Sequence, residues 1–168
     1  MTALIPQKII IHHAAEIDTP DLNWTGIRKY QMSYRVNYHV VTKEEYIRLK
    51  ATGVPGHYEK PFIDIGYNAG VELIGTSYEV LIGRPWTMAG AHTIGQDQVS
   101  LGLCFVGNFN LTEPPKDQLI MGARMVSMWM AIYKIPMSEI YPHYRFEATD
   151  CPGKKFDMGK LFNAVMLA

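Results

Sequence analysis

A histidine and a cysteine stand eight residues apart, His143 and Cys151, in the turn-rich stretch from Tyr141 to Gly153. Imidazole nitrogen and thiolate sulfur are both good ligands for Zn²⁺. Two ligands do not close a metal site, so a third must come from elsewhere in the chain. The best candidate is His12, directly after the apolar run Ile9-Ile10-Ile11. The pattern leaves a second reading open, in which His12 and His13 are polar residues at the rim of a sheet. Neighbouring residues of a strand point to opposite faces, so His12 and His13 are not expected to serve one metal together. His39 and His57 read as surface or outer positions.

The remaining segments must bring these two ends together. Lys8-Ile9-Ile10-Ile11 is short and β-branched and reads as a buried strand. Asp18 to Leu22 reads as a turn and helix start, with Thr19 capping and Pro20 at the first helical position. That helix would run through Trp24, Ile27 and Tyr30. Arg35 to Val41 has strand-like residues, and Lys43 to Lys50 has helical composition. Thr52 to His57 is a loop by its Gly and Pro content. Phe62 to Ile74 reads as a strand through glycines, Gly75-Thr76 as a turn, and Tyr78 to Arg84 as the returning strand of a hairpin. Glycines within strands often let another backbone or a ligand approach. Pro85 to Gly95 is a loop. Val99 to Phe109 is a second strongly apolar strand, expected to be central, with Cys104 a small core residue. Leu119, Ala123, Val126, Met130 and Tyr133 recur at helical spacing and end at Ile135-Pro136. Ser138 to Ile140 is a connector, and Asp157 to Leu167 a short terminal helix.

The chain has 168 residues, enough for one domain with a sizeable core. Lys+Arg and Asp+Glu are both 16, which argues against a dominant electrostatic grip on nucleic acid or an anionic membrane. No apolar run approaches the roughly 20 residues needed to span a bilayer. Met1 to Gln7 lacks a basic start and is interrupted by Pro6, so no signal peptide is expected. Synthesis in the cytoplasm follows as the expectation. Cys104 and Cys151 are then expected to be separate thiols rather than a disulfide.

Four blocks in order resemble the type 2 N-acetylmuramoyl-L-alanine amidases, the superfamily of amidase-type phage lysozymes and peptidoglycan recognition proteins. Ile9 to Ala15 is similar to its first strand and metal histidine. Asp64-Ile65-Gly66-Tyr67, with Gly83-Arg84, is similar to the strand bearing the active-site tyrosine and its partner. Ala91-His92-Thr93-Ile94-Gly95 and Ser100 to Phe109 resemble its loop and central strand. His143 with Thr149-Asp150-Cys151-Pro152-Gly153 resembles its metal-binding end. The resemblance implies a single α/β domain over 1–168, a central mixed β-sheet flanked by helices, with one zinc held by His12, His143 and Cys151. It places Tyr67 near the attacking water and makes Thr149 a second transition-state donor, at a position where relatives carry lysine or threonine. The segment from about 34 to 61 is longer than in compact members. Asn68 stands where many relatives have histidine, and Asp97 where asparagine is frequent.

Three protein ligands leave one position for water, the pattern of a catalytic zinc. The resemblance implies hydrolysis of the amide between N-acetylmuramic acid and L-alanine of the peptidoglycan stem. Tyr67 would hydrogen-bond the attacking water or the oxyanion. Trp86, His92 and Arg84 are candidates for the substrate groove or, equally, for structural roles. The implied partner is peptidoglycan, with no nucleic acid or membrane, for a monomer. The implied setting is a phage or prophage endolysin reaching the cell wall through a holin or after lysis. A peptidoglycan-binding module without turnover and another zinc amide hydrolase are the alternatives. The absence of a His-Glu-x-x-His helix disfavours the commonest zinc peptidases.

Overall fold

The computed structural model describes residues 4–15 and 23–168. The expected helix start at Asp18 to Leu22 lies outside the described residues. Five strands form the main sheet: β1 (Lys8–His13), β5 (Ala69–Ile74), β6 (Ser77–Ile82), β7 (Ser100–Phe105) and β8 (Ile140–Pro142). Their order is β6-β5-β7-β1-β8. β1 runs parallel to both β7 and β8, β5 runs parallel to β7, and β5 and β6 are antiparallel. The sheet is therefore mixed, with β7 at its centre as expected. A smaller sheet, β3-β2-β4, is built from β2 (Tyr34–Val36), β3 (His39–Val41) and β4 (Tyr58–Glu59). Among the described residues four α-helices accompany the sheets: α1 (Trp24–Gln31), α2 (Lys43–Ala51), α3 (Lys116–Tyr133) and α4 (Met158–Met166).

Side-chain alternation in β1 and β7 separates two cores. Ile9, Ile11, Leu101, Leu103 and Phe105 face the helix side, where Ala123, Val126 and Trp129 of α3 and Leu161 of α4 cover them. Cys104 and Val106 belong to a second cluster with Trp24 and Ile65, against which Tyr67 packs. At roughly 25 cal/mol per Å² of apolar surface, the larger cluster is the main stabilising term. Trp129 is fully buried at its centre, edge-on to Trp86 at 5.8 Å between ring centroids. The helix caps follow local chemistry. Asn23, Thr42 and Asp157 accept backbone N–H groups at the starts of α1, α2 and α4. Lys134 ends α3 in the left-handed conformation, before Pro136.

Three expectations change. The stretch 62–68 is not strand: β5 begins only at Ala69. Its backbone groups pair irregularly, with side chains, a loop and single bonds of Tyr67 and Asn68 to Arg84, Gly83 and Gly102, instead of in a continuous ladder. Arg84 donates to the carbonyls of Asp64 and Ile65, Gln31 accepts from the Gly66 N–H, and Ala91 N–H donates to the Gly66 carbonyl. The residues 34–41 form a hairpin, turned by Asn37 and Tyr38 at φ of 50° and 68°. The connector before His143 contains an edge strand, β8, whose parallel register places Ile140 beside Ile9.

Candidate metal centre

β1 and β8 are adjacent and parallel, so their C-terminal ends lie at the same rim of the sheet. His12 sits at the end of β1, and His143 begins the short 3-10 turn His143–Arg145 directly after β8. Alternation points His12 to the face of Cys104, its register partner on β7, and away from α3. His13 points to the opposite face, where its Nδ1 accepts from the Phe109 N–H at 3.2 Å and its ring packs on Phe109. The two neighbouring histidines serve different faces, and both are buried rather than polar rim residues.

The structure brings His12, His143 and Cys151 together. One donor atom from each lies within 4.8 Å of the other two. His12 Nδ1 is 3.7 Å from Cys151 Sγ, and the His12 and His143 ring centroids are 4.4 Å apart. Two donors bound tetrahedrally at zinc's usual nitrogen and sulfur bond lengths are separated by about 3.5 Å. The pair thus has the spacing of ligands sharing one ion. The electrostatics suit the same purpose. Burial, then the neighbouring His92, His143 and His13, push the His12 imidazole well down, so it is neutral with a lone pair to give. Burial pushes the Cys151 thiol up to about 12, against the opposing pull of the His13 N–H, which donates to Sγ at 3.4 Å. A buried thiol of this kind deprotonates readily only beside a cation.

Tyr67 lies against this cluster, its ring centroid 5.2 Å from that of His12 and stacked on Trp24 at 6.2 Å. Burial and the nearby cysteines push its phenol well above the ordinary range, so it is a protonated donor near neutral pH. Thr149 is exposed. Its Oγ1 accepts the Cys151 N–H at 3.2 Å, which leaves its own hydroxyl proton to donate elsewhere.

The three groove candidates have other duties. Arg84 is buried and spends its guanidinium on the carbonyls of Ile65, Ala89 and Asp64. Trp86 packs on Trp129 in the core. His92 is buried behind the cluster, with its Nδ1 3.0 Å from His12 Nε2. Its ring fills space that a Cβ at Gly90 or Gly102 would enter, at 2.3 and 2.6 Å. This contact was not foreseen, although a histidine between glycine-bearing segments was its available signal. Asp97 anchors the loop by accepting the N–H groups of His92 and Thr93. Asn68 is buried and pairs with the Gly102 N–H through its side chain, so it is structural. His39 is exposed and His57 half-exposed beside Glu59, and neither belongs to the His12–His143–Cys151 group.

Residues 2–154 match the family described as N-acetylmuramoyl-L-alanine amidase. The chain belongs to that family. Peptidoglycan-recognition protein SC2 of Drosophila melanogaster is 34% identical over 91 residues, 54% of this chain and 48% of that protein. The chain thus spans about half the length of this curated relative. Among solved structures, the N-acetylmuramoyl-L-alanine amidase LysC from Clostridium intestinale URNW superposes with a TM-score of 0.66 at 20% identity, covering 97% of this chain and 87% of that one. Peptidoglycan recognition protein-LE in complex with tracheal cytotoxin gives 0.64 at 24% identity, covering 93% and 79%. Both neighbours share the mixed α/β fold with its central mixed sheet.

Proposed function

We propose that this chain, as one unit over 1–168, is a zinc-dependent peptidoglycan amidase that hydrolyses the amide between N-acetylmuramic acid and L-alanine of the stem peptide. The observation that carries this reading is the convergence of His12, His143 and Cys151 at one sheet rim, with a protonated Tyr67 beside them. His12, His143 and Cys151 would hold the zinc. When bound, the ion supplies an acidified water and a Lewis-acid pull on the amide carbonyl. The chain's own residues do the rest. Tyr67 donates a hydrogen bond to the attacking water or the developing oxyanion, and Thr149, whose Oγ1 accepts the Cys151 N–H, offers a second hydroxyl. One such donor contributes about 3 kcal/mol to transition-state stabilisation. His92 receives the far nitrogen of His12 and fixes its ring. Endolysin-like action on the cell wall, after holin release or lysis, is the setting we infer.

Binding without turnover is the second reading, favoured by the similarity to peptidoglycan-recognition proteins, one of them solved with a peptidoglycan fragment. Digestion of purified cell wall followed by mass analysis of the products separates the two. Free stem peptides with new L-alanine amino termini are the expected result, together with one zinc per chain. Stoichiometric zinc with intact muropeptides would leave only the binding reading.

A further inference from the structure

Among the described residues, and outside the three candidate ligands, Glu147 is the acidic side chain that reaches the cluster. Glu147 lies four residues after His143, one turn along the segment, and its Oε1 is 3.0 Å from His143 Nε2. The same oxygen accepts the N–H of Ile94, in the loop that carries His92, at 2.7 Å. His143 Nε2 is buried, and among the described residues no group meets it in straight hydrogen-bond alignment. The Glu147 carboxylate, off that line but within ion-pair distance, is its anionic neighbour among the described residues. A buried ring N–H with no other acceptor gains most from such a neighbour.

We propose that Glu147 is a positioning residue for the metal centre. It holds the His143 proton on Nε2, turns Nδ1 toward the space shared with His12 and Cys151, and ties the 91–97 loop to the ligand segment. This rests on the reading that His143 binds the metal. A histidine ligand commonly offers its other nitrogen to a carboxylate, which fixes the tautomer and raises ligand basicity. Here the two imidazoles are held by different outer groups. His12 leans on neutral His92, and His143 on anionic Glu147. Both outer groups act through one loop, since His92 and Ile94 belong to it.

The test uses the full chain and two variants, Glu147→Ala and Glu147→Gln. Zinc affinity is read by chelator competition. The His143 tautomer is read from ring nitrogen shifts in zinc-free protein, and loop anchoring from hydrogen exchange at the Ile94 amide. Glu147→Ala is expected to weaken zinc binding by about 10–100-fold, mix the His143 tautomers and speed Ile94 exchange. Glu147→Gln keeps an oxygen acceptor and should fall between Ala and wild type. Zinc affinity within about twofold of wild type, with the tautomer unchanged, overturns the proposal. If the Ala variant fails to fold, Gln carries the same test. Wild type that binds no zinc sinks the metal reading instead, while the tautomer measurement in zinc-free protein still decides whether Glu147 positions His143.

Discussion

Cys151 and Tyr67 should separate cleanly under mutation, because they touch different parts of the proposed reaction. Cys151→Ser removes the one soft anionic donor. It should weaken zinc binding by more than the roughly 10–100-fold typical of losing an outer contact, and abolish turnover with it. Tyr67→Phe keeps all three candidate ligands and the stacking on Trp24, and loses only the hydroxyl. Zinc content should be unchanged and kcat on soluble muropeptide should drop about 10²–10³-fold. Wild-type turnover by Tyr67→Phe would remove the tyrosine from the mechanism. Zinc loading should also release a proton, since the Cys151 thiol is held near 12 without a cation. The heat of binding should therefore vary with buffer ionisation enthalpy.

At the level of the elements, the position of α3 on the sheet depends on a glycine. Gly122 faces β7, and a Cβ there would lie 2.2 Å from Phe105 Cζ. Phe105 cannot swing away freely, because it packs edge-on against Phe156 at 5.1 Å. In an exposed helix, Gly→Ala stabilises by about 1 kcal/mol. Here the sign should reverse: overpacking of this kind costs about 1–3 kcal/mol, and Gly122→Ala should lower the urea midpoint. A raised midpoint would show that the helix can lift off β7 without cost. The same close approach recurs at Gly70, where a Cβ would strike the Trp24 ring and push α1 from β5.

For the molecule as a whole, the buried histidines make folding sensitive to acid. Burial, opposed by the charge of Asp97, holds the His92 imidazole down at about 4, against an ordinary 6.5 in the unfolded chain. The folded pKa is depressed, so below about 6.5 the unfolded chain takes up a proton that the folded chain refuses. This stability is complete above the unfolded value and is lost as pH falls toward about 4. The loss from His92 alone is about 3 kcal/mol for the zinc-free protein. Urea titrations at neutral pH and near pH 4.5 should show most of it, and His92→Gln should shrink the difference by about this amount while His12 and His13, also held down by burial, keep the remainder. Among the described residues no helix is long and apolar enough to cross a membrane.

The amino-acid sequence by itself determined a good deal: the apolar β1 and β7, the Gly75-Thr76 hairpin, the methionine-rich α3 and the His143–Cys151 pair. Each of these is local, written in alternation, helical period or turn chemistry. The third donor was legible only as a candidate, because strand alternation says that His12 and His13 diverge but not which one faces His143. Tertiary structure decided that. The parallel register of β1 with β7 and β8 puts His12 over Cys104 and sets the end of β1 beside the start of the His143 turn. It also decided what periodicity does not encode. The 62–68 backbone takes side-chain partners from Arg84 and Gln31 ahead of the ladder that begins at Ala69, and His92 and Glu147 became the outer contacts of two imidazoles through distances closed only by folding.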